Sequence, residues 1–154
     1  MDKTDRKLLA LLQEDSTLSI AQLADRVNLS QTPAWKRIQR LEANGVIERR
    51  VALLSPEKLG LGLTVFVSIE VGDHSPEWLE RFAAAVSSFP EVVEVHRMAG
   101  DIDYMLRVVT RDIAAYDAFY KRLIASVPRL KNVSSRFSME RVKSTTSLPL
   151  EEVS

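Results

Sequence analysis

The chain of 154 residues has no cysteine and only two histidines, His74 and His96. Without thiols it can form neither a disulfide bond nor a thiolate-ligated metal site. The two histidines fall in different predicted elements, so a metal site built on imidazoles is not expected. We therefore predict no metal and no cofactor, and we expect both histidines at the surface or in an interface.

The chain also lacks an excess of charge, since 21 lysines and arginines balance 21 aspartates and glutamates. A neutral chain is not suited to coating nucleic acid without selectivity, so any DNA contact must come from a local basic cluster. No apolar run approaches the ~20 residues that cross a bilayer, and the charged residues 1–5 do not match a signal peptide. We expect a soluble, cytoplasmic protein with no membrane partner.

Sequence signatures of common enzymes are missing as well. There is no glycine-rich phosphate loop, no Gly-x-Ser-x-Gly nucleophile turn and no His-Glu-x-x-His zinc motif. Acidic residues are numerous, but no pair is singled out as a general acid and base. An enzyme is therefore disfavoured, and we predict no catalytic residues.

Residues 19–45 have the pattern of two short helices joined by a tight turn. Ser19 and Gln22 have the spacing of a capping box. Residues 28–30 make the turn, and a longer helix is predicted over residues 31–44. With a first amphipathic helix over residues 4–15, this is a helix-turn-helix, whose second helix enters the major groove of DNA.

The helix over residues 31–44 separates apolar from polar side chains. At 100° per residue, Ala34, Ile38 and Leu41 cluster within about 60° of one another. Lys36 and Arg40 lie on the opposite side, one turn apart, so both can reach phosphates or guanine edges along one groove. The predicted DNA-contacting residues are Gln31, Thr32, Lys36, Arg37, Gln39, Arg40, Arg49 and Arg50.

Two alternatives stay open for this helix. Its charges could merely solvate an exposed surface, as most charged side chains do, although the three-helix context disfavours that interpretation. Trp35, on the flank, could stack on DNA or close the edge of the small core, and the second interpretation is preferred.

From Leu63 onward the chain changes to alternating β-branched residues, which are typical of a strand. The predicted order from there is β-α-β-β-α-β, the ferredoxin-like split βαβ arrangement, with the last strand over residues 132–143. The fold class is therefore α+β, with an N-terminal winged helix-turn-helix whose wing or linking strand lies within residues 46–54. The predicted divisions are a DNA-binding domain at 1–54, a linker at 55–62, a βαββαβ domain at 63–143 and a tail at 144–154.

The turn at residues 100–104, Gly-Asp-Ile-Asp-Tyr, is a second candidate site. Glycine lets backbone N–H groups converge on an anion, and a neighbouring carboxylate, Asp101 or Asp103, could hold an ammonium group. Together they would suit a free amino acid. The residues alone favour the simpler interpretation, an ordinary strand connection with solvated aspartates.

Six short motifs follow one another along essentially the whole chain. They are MDKTDRKLL at 1–9, LSQTP at 29–33 with RIQRLE at 37–42, GVI at 45–47, ALLSP at 52–56, GDIDY at 100–104 and TTSLPL at 145–150. In this order and spacing they resemble the Lrp/AsnC, or feast/famine, family of bacterial and archaeal transcriptional regulators.

The resemblance implies a DNA-binding winged helix-turn-helix followed by a ligand-sensing domain that pairs into homodimers, with closure into a higher oligomer, an octamer, as the expected assembly. It also implies that a small amino acid binds between sensing domains near the turn at residues 100–104. The effector-binding residues implied are Gly100, Asp101, Asp103 and Tyr104, with Ser135 and Ser138 on the last strand as secondary candidates.

Within the family, the segments at 32–37, 74–78 and 116–123 resemble the branch associated with cysteine-responsive control of cysteine breakdown. Ala34 stands where many relatives carry cysteine. If cysteine is the effector, the chain must therefore sense it without a covalent bond.

We therefore expect a sequence-specific regulator that binds double-stranded DNA and whose activity or assembly is modulated by a small amino acid. The alternative is an architectural, chromatin-like protein that binds DNA with little sequence preference and no effector. The two differ in the ratio of specific to non-specific affinity.

Overall fold

The computed structural model describes residues 1–153, which fold as two compact units. The first comprises Met1–Leu53 together with the C-terminal segment from Val142, and the second is Leu54–Arg141. No helix within residues 1–153 is long and apolar enough to cross a membrane. The elements are α1 (Lys3–Glu14), α2 (Ile20–Arg26), α3 (Gln31–Ala43), β1 (Leu63–Val71), α4 (Pro76–Ser87), β2 (Val92–Arg97), β3 (Tyr104–Thr110), α5 (Ile113–Ser126) and β4 (Leu130–Phe137).

Two of the three helices of the first unit begin at residues whose side chains satisfy terminal backbone N–H groups. Ser19 and Gln22 form the predicted capping box at the start of α2, and Asp2 caps α1 reciprocally with Asp5. Beyond the end of α3, Gly45 has φ +71°, a left-handed conformation that glycine adopts without a steric penalty. The three helices enclose a small core of Leu8, Leu12, Leu23, Val27 and Ile38.

The segment expected to supply the wing, residues 46–54, forms no strand within the part of the chain that the structure describes. An extended segment needs a neighbouring strand to hydrogen-bond its backbone, and the first unit supplies none. The C-terminal segment does pack on this unit. The Gln13 amide donates to the Leu148 carbonyl (3.2 Å) and accepts from the Leu148 N–H (2.9 Å).

The second unit is a four-stranded antiparallel sheet of order β2-β3-β1-β4 with α4 and α5 on one face. Alternate residues of β1, from Val65 to Val71, point into this layer because successive side chains of a strand face opposite sides. They pack against Phe82 of α4 and Phe119 of α5, which are fully buried. This core is much larger than that of the first unit.

The last strand is shorter than predicted, since β4 ends at Phe137 rather than at residue 143. Its partner is β1, and Val65 pairs with Phe137 and the Ser138 N–H donates to the Thr64 carbonyl. Because β1 begins at Leu63, there is no strand left to pair with residues beyond this point.

The second face of the sheet carries no helix. Phe66, which points to this face, is 39% exposed and pairs with Arg107 of β3, and Met105 and Val109 lie on the same face two residues to either side of Arg107. On the same face Arg107 pairs with Glu94 across neighbouring strands (2.6 Å). The face is therefore a mixed apolar and charged surface, unlike the helix-covered side.

Candidate DNA-binding helix and effector turn

Helix α3 buries one side and exposes the other, as its periodicity predicts. Ala34, Ile38 and Leu41 are buried, whereas Thr32 and Lys36 are exposed. Within residues 1–153, four of the predicted DNA-contacting side chains accept or donate no side-chain hydrogen bond and form no ion pair. These four are Gln31, Thr32, Lys36 and Arg49.

The arginines of α3 are not free in the same way. Arg37 Nη1 donates to Asp5 Oδ1 (2.8 Å) and to Asp2 Oδ2 (2.6 Å), and Arg40 Nη2 donates to Asp5 Oδ2 (2.8 Å). Asp5 is 1% exposed, while the Arg37 and Arg40 side chains remain 28% and 55% exposed. Two aspartates of α1 and its cap thus hold two arginines of α3, a group of four residues that we call the Asp5 network.

The hydrogen bonds of the Asp5 network favour the charged forms of Asp2 and Arg37. The Asp5 backbone N–H and then the Arg37 guanidinium lower the pKa of Asp2 to about 2. Hydrogen bonds to Asp2 and Asp5 raise the pKa of Arg37 above its usual range. Asp2 and Arg37 therefore both stay ionised at neutral pH.

Glu42 engages two more of the predicted DNA-contacting residues at the surface. It accepts from the Gln39 amide (3.1 Å) and from Arg50 Nη2 (2.9 Å). Both side chains lie outside the core, so these hydrogen bonds compete with water and exchange easily.

The prediction that Trp35 closes the edge of the core is wrong. Its side chain is 49% exposed, because at 100° per residue it lies about 90° from the centre of the buried stripe. Trp35 therefore lies on the surface beside the polar face of α3.

The turn at residues 100–104 connects β2 to β3 and is fastened to the end of β1. Gly100 has φ +110°, a conformation that disfavours any residue with a Cβ atom. The backbone N–H groups of Gly100, Asp101 and Ile102 donate no hydrogen bond to any of the residues 1–153. A row of unpaired N–H groups in a turn is a suitable site for a carboxylate.

Asp103 fastens the turn. Its Oδ2 accepts from the Val71 N–H (2.8 Å), its Oδ1 lies 3.1 Å from His74 Nε2, and its own N–H donates to the Ile69 carbonyl (2.9 Å). The Val71 N–H and then His74 lower the pKa of Asp103 below its usual range. Both carboxylate oxygens are thus already engaged, so Asp103 shapes the turn.

The other predicted effector residues lie apart from one another. Tyr104 is in the core, with its ring 4.5 Å from that of Phe82 between centroids. Ser135 contacts the Tyr116 hydroxyl beneath α5, beside a surface cavity of about 280 Å³. Ser138 faces Thr64, five residues from Ile69 along β1, or about 17 Å. One chain therefore does not bring the turn and Ser138 together.

Two residues that shape these sites were absent from the predicted set, namely Asp5 and His74. The spacing of Asp2 and Asp5 indicates a capped helix, but nothing local shows that Asp5 binds side chains of α3. Among residues 1–153, no group of three or more histidines, aspartates and glutamates is placed to hold a metal ion.

Comparison with known proteins gives a consistent result along the whole chain. Residues 1–48 match a family model described as winged helix-turn-helix DNA-binding, and residues 64–148 match the Lrp/AsnC ligand binding domain. The chain is 57% identical over 151 residues to the DNA-binding transcriptional activator DecR of Escherichia coli (strain K12), covering 98% of this chain and 99% of that protein. These matches confirm both halves of the predicted fold class.

Solved structures extend this result. A crystal structure of an AsnC family transcriptional regulator from Agrobacterium tumefaciens has a TM-score of 0.96 and 61% identity, covering 99% of both chains. A transcriptional regulator from Neisseria meningitidis, solved as a complex with L-methionine, has a TM-score of 0.92 and 37% identity, covering 97% of both chains.

Proposed function

This chain belongs to the Lrp/AsnC family of DNA-binding transcriptional regulators with an amino-acid effector, and from that premise we propose how its two units divide the work. The first unit, residues 1–53 with the tail, binds DNA through α3. The second unit senses the effector and forms the contacts between copies. We propose the predicted divisions as the limits of these roles, with a DNA-binding domain at 1–54, a linker at 55–62, a βαββαβ domain at 63–143 and a tail at 144–154.

We propose that the exposed face of α3 lies in the major groove. The single observation that carries this is the outward row of Thr32, Lys36 and Gln39, opposite the buried stripe of the same helix. Lys36 supplies a phosphate or guanine contact, and Gln39 suits adenine. Thr32, at the N-terminal end of α3, is placed for a base edge or a DNA phosphate. Arg40, Gln31, Arg37, Arg49 and Arg50 complete the proposed surface.

We propose that the turn at residues 100–103 receives the carboxylate of a free amino acid. Its three unpaired N–H groups and the left-handed Gly100 support this assignment. Because Ser138 lies away from the turn in one chain, we propose that the remainder of the pocket comes from a second copy. Cysteine is the first candidate effector, on the resemblance of three segments to the cysteine-responsive branch. The complex of the Neisseria meningitidis regulator with L-methionine, another sulfur-containing amino acid, supports this choice.

We propose that the helix-free face of the sheet joins two copies. Phe66, Met105 and Val109 supply its apolar surface, and the Arg107–Glu94 pair supplies charges that a two-fold partner can match. Dimers of this kind would then close into an octamer. Nothing in this role requires catalysis, and we propose no enzymatic reaction and a cytoplasmic site of action.

The experiment that tests the proposal is fluorescence anisotropy on a duplex from upstream of this protein's own gene, against a scrambled duplex of the same composition. Each titration is repeated with a panel of amino acids that includes cysteine, methionine, leucine and glutamate. We expect selective binding that one amino acid alters, and light scattering should show a dimer or larger species. Equal affinity for both duplexes without any response would instead support the architectural alternative.

A further inference from the structure

We propose that Asp5 is a positioning residue for DNA recognition, which holds the Arg40 guanidinium in one orientation and neutralises the excess charge of α3. The inference rests on the proposed role of α3 as the helix that enters the groove. Asp5 itself belongs to α1 and lies beneath the surface, so it does not contact DNA.

The geometry shows how one carboxylate controls two arginines. Asp5 Oδ1 binds Arg37 and Oδ2 binds Arg40, each at 2.8 Å, and Oδ2 also accepts from the Asp2 N–H (3.1 Å). With 1% of its side chain exposed, Asp5 cannot exchange these partners for water. Two helices that are distant in sequence thus share one buried charge.

Arg40 is held on one side and open on the other. Its side chain remains 55% exposed although Nη2 is bound to Asp5. A guanidinium has five N–H donors in a fixed plane, so those that Asp5 leaves free are available for a phosphate or a guanine edge. Holding the group before DNA arrives removes much of the entropy cost of ordering a long flexible side chain on binding.

The network also sets how strongly the helix attracts any DNA. Arg37 and Arg40 are balanced by Asp2 and Asp5, which leaves Lys36 as the uncompensated cation of the exposed face. Attraction to phosphates is independent of sequence, and each extra contact steepens the salt dependence of binding. Balancing the arginines therefore lowers non-specific binding more than it lowers binding to the correct site.

The test is Asp5→Asn in the full chain, measured on the upstream and scrambled duplexes over a range of salt concentrations. We expect affinity for the scrambled duplex to rise about threefold, the slope of log K against log salt to steepen by about one, and the ratio of specific to non-specific affinity to fall about tenfold. The matched control is Asp117→Asn, which changes net charge equally but breaks an exposed pair with Lys121 on α5.

A purely structural role gives a different result. In that case binding to both duplexes falls in proportion to the folded fraction, the ratio stays constant and the inference is overturned. The unmodified protein is measured on both duplexes in the same series. If it does not prefer the upstream duplex, the proposed function fails, and this result is distinct from a failure of the inference about Asp5.

A second variant avoids the buried position altogether. Arg40→Lys keeps the charge but loses the planar fork that Asp5 orients. We expect about tenfold weaker binding to the upstream duplex with unchanged binding to the scrambled one. In the Asp5→Asn background, Arg40→Lys should weaken binding to the upstream duplex by less than half as large a factor. Equal factors in both backgrounds would contradict the proposal that Asp5 acts through Arg40.

Discussion

Asp5 of the first unit and Asp103 of the second each use both carboxylate oxygens within their own unit, but they hold different kinds of group. Asp5 binds two arginine side chains of α3, whereas Asp103 binds the backbone N–H of Val71 and the ring of His74. Loss of Asp5 changes which charges the protein offers to DNA. Loss of Asp103 changes the shape of a turn.

The hydrophobic cores of the two units differ in size. The first unit buries a few side chains of three short helices, and the Asp5 network adds polar links between α1 and α3. The second unit buries a layer of four strands against two helices. We therefore expect the first unit to respond to charge changes and the second to cavities, and the two tryptophans report on them separately, Trp35 in the first unit and Trp78 in the second.

The largest effect is expected from Phe119→Ala in the second unit. Phe119 is fully buried, so its removal leaves a cavity that costs about 3–5 kcal/mol. In a Trp35→Phe background, the midpoint of urea unfolding followed by Trp78 fluorescence should fall. In a Trp78→Phe background, the midpoint followed by Trp35 fluorescence should fall much less. Ile124→Ala, on the exposed side of the same helix, is the control. If Phe119→Ala lowers the unfolding midpoints reported by Trp35 and Trp78 equally, the two units do not unfold separately.

The next effect is expected from Asp103→Ala, which leaves the Val71 N–H without its partner. We expect a loss of about 1–3 kcal/mol in the second unit, together with loss of the amino-acid response. DNA binding without effector should stay within about twofold, a factor worth less than 1 kcal/mol. Anisotropy titrations with and without the amino acid measure the affinity for DNA in each case. Glu80→Ala, at an exposed position of α4, is the control. If Asp103→Ala keeps the amino-acid response, the effector site lies elsewhere.

Lys36→Ala and Arg37→Ala distinguish a side chain that is free to contact DNA from one that forms ion pairs within the first unit. Lys36→Ala should weaken binding to the upstream duplex about tenfold and reduce the salt slope by about one, with stability unchanged. Arg37→Ala should cost about 1–2 kcal/mol of stability, because it leaves Asp5 with one cationic partner fewer. Anisotropy and thermal unfolding of both variants test the contrast. The reverse pattern would show that Arg37 is the DNA-contacting residue.

The smallest effect is expected from acid. The pKa of Asp2 lies at about 2 in the folded protein, against an ordinary value of 3.8. A lowered folded pKa means that the stabilising contribution is complete above pH 3.8 and is lost as the pH falls towards about 2. Between about pH 5 and 2.5, Asp2→Asn should therefore lose less stability than the unmodified protein, as followed by Trp35 fluorescence. Equal losses would show that Asp2 does not contribute.

Local sequence determined much of the architecture. The 3.6-residue period predicted α1 and α3 within a few residues, and the two-residue period predicted the strand that begins at Leu63, because each element buries one face of its own repeat. Capping also depends on neighbours three residues apart, and Ser19 caps α2 as its spacing to Gln22 predicts. The family motifs named the fold and the function, which the comparisons confirm.

Only the tertiary structure decided which charges are free and where the last strand ends. Arg37 and Arg40 are bound by an aspartate 32 and 35 residues away, and β4 ends where β1 begins, more than 70 residues earlier. Likewise Asp103 is engaged by Val71 and His74 from another strand end. A periodic pattern specifies which face of an element is buried, but an ion pair or a strand end depends on the position of a partner that is distant in the chain.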